Sequence, residues 1–99
     1  MIRLSVLYPS GDGSTFDHDY YRDHHIPLVR STWNPASTEI DRGVDGPNVA
    51  AVHFTFPDRG AMNAAMAAEG TGAVMADVAN YTNIAPVLQI SEVVESDRG

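Results

Sequence analysis

Four histidines, at positions 18, 24, 25 and 53, are the side chains of this chain best suited to move protons near neutral pH. Two of them follow a tyrosine pair at a spacing of four. Tyr20–His24 and Tyr21–His25 therefore each share a face if the segment is helical. One pair then points inward and the other toward solvent or a loop. An inward tyrosine–histidine pair beside a cavity can hold a substrate hydroxyl or carbonyl and transfer a proton. The structural alternative is a tyrosine packed in the core with the histidine bonded to its hydroxyl. His53 lies in the strand-like run 49–56, in the register opposite to Val52, Phe54 and Phe56. It is expected on the other sheet face. There it is an acid/base or orienting group in a pocket with Val49, Ala51 and Thr55, or an interface histidine bonded to a partner's backbone.

Other chemistries are excluded by composition or spacing. There are no cysteines, which removes disulfides, thiolate zinc sites and cysteine nucleophiles. All six basic residues are arginines, so Schiff-base chemistry and a phosphate-loop lysine are absent. His18, His24, His25 and His53 with Asp17, Asp19 and Asp23 supply nitrogen and oxygen donors, but at no zinc-motif spacing; no metal is expected. Gly11-Asp12-Gly13 fails as a dinucleotide fingerprint because Phe16 stands where the third glycine belongs. No G-x-S-x-G elbow occurs, and Ser5, Ser14 or Ser91 with a distant histidine makes no triad by sequence. The net charge of −7 argues against nucleic acid and anionic membrane as partners. No apolar run approaches the ~20 residues of a membrane span, and the opening Met1-Ile2-Arg3 is strand-like rather than a signal peptide. A cytoplasmic, soluble protein of one domain, residues 1–99, is the expectation.

The elements that must position the histidines follow from local pattern. Residues 2–8 alternate into a strand, and Pro9-Ser10-Gly11-Asp12-Gly13 breaks it. Asp17 is a plausible N-cap of a first helix, and Pro27 is expected to end or kink that helix. Trp33 then falls in a loop, as a lid or a plug. Residues 35–43 read as an edge strand, 49–56 as the clearest strand and 61–68 as an alanine-rich helix with Met62, Ala65 and Met66 on one stripe. Gly70-Thr71-Gly72 interrupts that helix, 73–80 resumes it with Val74, Met75 and Val78, and 85–94 is a final strand. The order β-α-β-β-α-β predicts a ferredoxin-like α+β fold, a four-stranded antiparallel sheet with helices on one face. The bare second face needs a cover, and a second copy of the chain supplies it most simply. Two sheets face to face would make a dimeric α+β barrel.

The segment from Phe16 to Val29 resembles the "F-D-x-x-Y-Y-x-x-H-H-x-P-L" signature of the EthD family. Glu69-Gly70 and the run from Asn80 to Val93 are similar to that family too, so the resemblance covers nearly the whole chain. It implies the dimeric barrel reached above. The family is named for a protein required for degrading ethyl tert-butyl ether alongside a cytochrome monooxygenase system. Relatives of the barrel class include quinone-forming monooxygenases, polyketide cyclases and haem-degrading enzymes. The resemblance singles out His25, with Tyr21 beside it. Haem-binding relatives carry a histidine on the second helix; 61–80 has none, so no haem and no other cofactor is implied.

The functional expectation is an enzyme of oxidoreductase, monooxygenase or cyclase type acting on a hydrophobic, oxygenated small molecule, aromatic or ether-like. His25 is its general acid/base, Tyr21 donates to a developing oxyanion and His53 orients the substrate. Tyr20, His24 and Trp33 complete the binding site. The alternative is a non-catalytic homodimer that holds the same ligand for a partner oxidase.

Overall fold

The computed structural model describes residues 1–97; the last two residues of the polar tail lie outside them. Strand β1 (Ile2–Pro9) leads through a turn-rich loop into α1 (His18–Tyr20), a π turn (Tyr21–His25) and α2 (Ile26–Trp33), which run on without a break. Strands β2 (Ser37–Arg42) and β3 (Asn48–Phe56) form a hairpin. Helices α3 (Arg59–Met66) and α4 (Thr71–Asp77), a 3-10 turn (Val78–Asn80) and β4 (Val87–Glu92) complete the chain. The sheet order is β2-β3-β1-β4, and every pairing is antiparallel. This is the ferredoxin-like arrangement.

The pleat sorts the side chains. Leu4, Val6 and Tyr8 of β1 stand opposite Phe54, Val52 and Ala50 of β3 and face the helices. Ile26 and Val29 of α2, Met62 of α3 and Val74 of α4 close over them. Burying each large apolar side chain contributes about 1.5–3 kcal/mol, which makes this layer the main source of stability. The opposite face carries Arg3, Ser5 and Leu7 from β1 and Val49, Ala51, His53 and Thr55 from β3. Glu39 and Asp41 of β2 extend the same row. That face is more polar than the bare apolar surface expected.

The first helix departs from expectation at Pro27. The chain neither stops nor needs a new cap there, because the π turn precedes the proline: the Ile26 amide donates to the Tyr21 carbonyl, five residues back. Pro27 then occupies the first turn of α2, where its missing N–H costs least. The helix continues to Trp33, so the tryptophan is its last residue, buried in the core, and not a loop residue. Asn34, with φ of 48°, terminates it in the left-handed conformation that asparagine tolerates. At the other end, Asp17 is the N-cap expected, its side chain accepting from the Tyr20 amide at 3.0 Å.

Two loops are tied together beneath this helix. Phe16 bridges Thr82, the Asp17 amide donates to the Tyr81 carbonyl at 2.8 Å, and the Thr82 hydroxyl donates to the Thr15 carbonyl at 2.6 Å. These links set Tyr81 against the start of the helix. Among the described residues, no helix is long and apolar enough to cross a membrane.

Candidate active site

Between the sheet and the helices lies an apolar cavity of about 70 Å³. Val6 and Tyr8 form part of its floor, Tyr21, His25 and Trp33 one wall, and Val74 and Met75 another. A larger hollow of about 410 Å³ beside Asp17, Asn80 and Asn83 is open to solvent. The apolar cavity is the better candidate, because buried aromatic and aliphatic side chains line it together with the imidazole of His25.

The π turn delivers the chemistry to that wall. Tyr21 and His25 are buried, whereas Arg22, Asp23 and His24 between them are exposed. Their rings stack, with centroids 5.5 Å apart and planes 17° from parallel. His25 Nδ1 lies 2.9 Å from Asp77 Oδ2 at the end of α4. The other oxygen of Asp77 accepts from the Tyr20 hydroxyl at 2.7 Å and from Asn80 Nδ2 at 3.0 Å. Burial alone would raise the pKa of Asp77, but the hydrogen bonds from Asn80, Tyr20 and His25 outweigh it and hold the carboxyl below its ordinary range. An ionised carboxylate only accepts, so Nδ1 carries the proton and Nε2 has the lone pair. Burial pushes the pKa of His25 down against the opposing pull of Asp77. A neutral imidazole with a free Nε2 is a general base in waiting.

The surrounding phenols are all shifted up, Tyr21 and Tyr81 most strongly, chiefly because burial disfavours their anions. Tyr8 and Tyr81 share a hydrogen bond of 2.7 Å. The Tyr21 hydroxyl is buried and interacts with that of Tyr8. At the far end of the cavity, Trp33 Nε1 donates to the Thr71 hydroxyl at 2.9 Å, which fixes the indole ring as part of the wall.

The structure brings Tyr21, His25 and Trp33 to one cavity and leaves the other expected residues outside it. Tyr20 lies behind the site, its hydroxyl donating to Asp77. His24 is exposed and lies against Tyr20, ring centroids 5.0 Å apart. His53 is on the opposite face of the sheet, as its register requires, and so shares no pocket with His25. There Nδ1 is 2.7 Å from the Ser5 hydroxyl and Nε2 is 3.0 Å from Asp41 Oδ2. Ser5, which no sequence motif ties to a histidine, thus stands in a Ser–His–Asp row across three strands. Strand β1 is paired on both sides, however, so its amides serve the sheet and offer no oxyanion hole beside Ser5.

Asp77 is the functional residue that sequence reasoning missed. Its only signal was a lone acid in the otherwise uncharged run 71–82. Among the described residues, no three histidine, aspartate or glutamate side chains converge as a metal site.

No protein-family model matches the sequence, and neither does any curated protein. Solved structures do. An EthD-like protein from Ralstonia eutropha is 40% identical, with 98% of this chain and 96% of that one covered at a TM-score of 0.88. An EthD family protein from Bacillus halodurans is 21% identical over 93% of this chain and 97% of its own, at a TM-score of 0.74. An antibiotic biosynthesis monooxygenase is 14% identical over 96% of this chain and 100% of its own, at a TM-score of 0.57. The last two share the fold alone, a four-stranded antiparallel sheet with helices. With 40% identity sustained over nearly all of both chains, and the Phe16–Leu28 signature folded into the cavity wall, the chain belongs to the EthD family.

Proposed function

We propose that this protein is a small enzyme that performs acid/base chemistry on a hydrophobic, oxygenated small molecule held between the sheet and the first helix. The reaction is of oxidoreductase, monooxygenase or cyclase type, with His25 Nε2 exchanging the proton and the Tyr21 hydroxyl donating to the oxygen that gains charge. One observation carries this reading: a buried histidine, kept neutral by burial and oriented by Asp77, on the wall of an apolar cavity. A carrier needs shape alone, so the oriented and perturbed imidazole supports catalysis over mere binding. The similarity to an antibiotic biosynthesis monooxygenase extends to the fold and is compatible with this chemistry.

The apolar residues Leu7, Ala51 and Val87, which meet in adjacent pairs on the open sheet face, support a homodimer formed through that face. Sedimentation velocity should give two copies per particle, and Ala51→Arg should give one.

Native mass spectrometry of the protein from its own host identifies any retained organic molecule. Turnover of that molecule is then compared in wild type and His25→Ala. The variant should fold, by circular dichroism, and lose activity by roughly 10²–10⁴-fold, the range for a lost general base. Undiminished turnover would overturn the role of His25.

A further inference from the structure

One helix grips both oxygens of Asp77. The Tyr20 hydroxyl donates to Oδ1 at 2.7 Å, and His25 Nδ1 meets Oδ2 at 2.9 Å. In a regular α-helix, residues five apart point about 140° away from each other around the axis and would diverge from a single carboxylate. Residues 21–25 instead form a π turn, whose Ile26 amide donates to the Tyr21 carbonyl five residues back. The extra residue in that turn brings Tyr20 and His25 to one side. Tyr81 packs against both rings, its centroid 6.3 Å from that of Tyr20 and 4.5 Å from that of His25. Asp77 itself ends α4, where the helix presents carbonyls and no amides, so its donors have to be side chains. The third donor, Asn80 Nδ2 at 3.0 Å from Oδ1, lies three residues further on and moves with Asp77. Asn80 therefore cannot locate the carboxylate relative to the first helix. Tyr20, 57 positions away in the chain, can.

We propose that Tyr20 is a positioning residue for His25: its hydroxyl holds Oδ1 of Asp77 so that Oδ2 stays fixed opposite Nδ1, and the π turn is the device that lets one helix supply both contacts. The assignment rests on the His25-centred reading above and deepens it. Tyr20 is not among the residues that line the cavity, so it acts only through the carboxylate. Without its hydroxyl, Oδ1 keeps Asn80 alone, and the carboxylate can turn about its own Cβ–Cγ bond and shift with the end of α4. Nδ1 then loses its fixed acceptor. The tautomer with the proton on Nε2 gains population, and in that tautomer Nε2 has no lone pair to take a proton.

The test is the nitrogen-15 spectrum of the histidine rings, which reads the tautomers of the intact protein without any substrate, in wild type, Tyr20→Phe and Asn80→Ala. Tyr20→Phe keeps the ring against Tyr81 and removes the hydroxyl alone. It should shift the tautomer ratio of His25 about tenfold toward the Nε2–H form, the effect of one hydrogen bond to a charged group. Asn80→Ala should shift it by no more than about twofold, since the Tyr20 contact remains. With the molecule retained by the protein as substrate, Tyr20→Phe should lower kcat about tenfold and leave KM unchanged within about twofold, because the lost hydroxyl does not touch the cavity. A merely structural tyrosine would lower the Tm and leave the ratio as it is. An unchanged ratio in Tyr20→Phe would overturn the proposal, and so would a larger shift in Asn80→Ala. A shifted ratio with undiminished kcat would uphold Tyr20 as the residue that sets the tautomer and overturn the acid/base reading of His25 instead.

Discussion

Asp77 and His25 are 52 positions apart in the chain and 2.9 Å apart in the fold. The pair joins the end of α4 to the π turn, and it decides which imidazole nitrogen faces the cavity. A nitrogen-15 spectrum of the histidine rings at neutral pH should therefore show His25 with its proton on Nδ1. Asp77→Asn replaces an obligate acceptor by an amide that can also donate, and should yield a mixture of tautomers. A single unchanged tautomer in the variant would show that Asp77 does not orient the ring.

The burial of His25 also has a sign in the stability curve. Its pKa is below the ordinary value of about 6.5 when folded, so the unfolded chain binds more protons between the two. Stability is then fully present above about pH 6.5 and is lost as the pH falls toward the folded value. Asp77, shifted down as well, contributes above the ordinary carboxylate range, and its share is lost only at lower pH. Thermal melts between pH 7 and 5 should show Tm falling in wild type (about 6.5 being the upper edge of the window). His25→Gln should flatten that decline. An equally steep decline in the variant would assign it to another group.

Gly70 is held against Thr32 of α2. A Cβ built on it would lie 2.8 Å from the Thr32 methyl, whose side chain is itself pinned by a 2.8 Å hydrogen bond to the Leu28 carbonyl. Gly70→Ala should cost roughly 1–3 kcal/mol by overpacking the joint that supports Trp33 and Thr71. Thr32→Ala in the same chain should recover much of it. Additive losses in chemical denaturation would refute the steric coupling.

His53 sits across the sheet from the cavity, hydrogen-bonded to Ser5 and Asp41. His53→Ala should leave turnover of the retained molecule at the His25 site unchanged within about twofold, because distant sites with no shared partner act independently. A large loss of turnover would mean that a second copy of the chain brings the two faces together.

Much of this arrangement was legible in the amino-acid order, because it depends on local geometry. The alternation of Val52, Phe54 and Phe56 against His53 assigned two sheet faces, since successive side chains of a strand point oppositely. The four-residue spacing paired Tyr20 with His24 and Tyr21 with His25, and both pairs meet in the fold. What the tertiary structure alone decided is which pair is buried, and why. Pro27 forbids an ordinary hydrogen bond at the first-helix junction, but only packing against the sheet makes a π turn the best response and carries the helix on to Trp33. Asp77 gave no local sign of its role, because a contact spanning 52 residues is written in no periodicity. Nor could spacing reveal that Tyr8 and Tyr81, 73 positions apart, would share a hydrogen bond across the core.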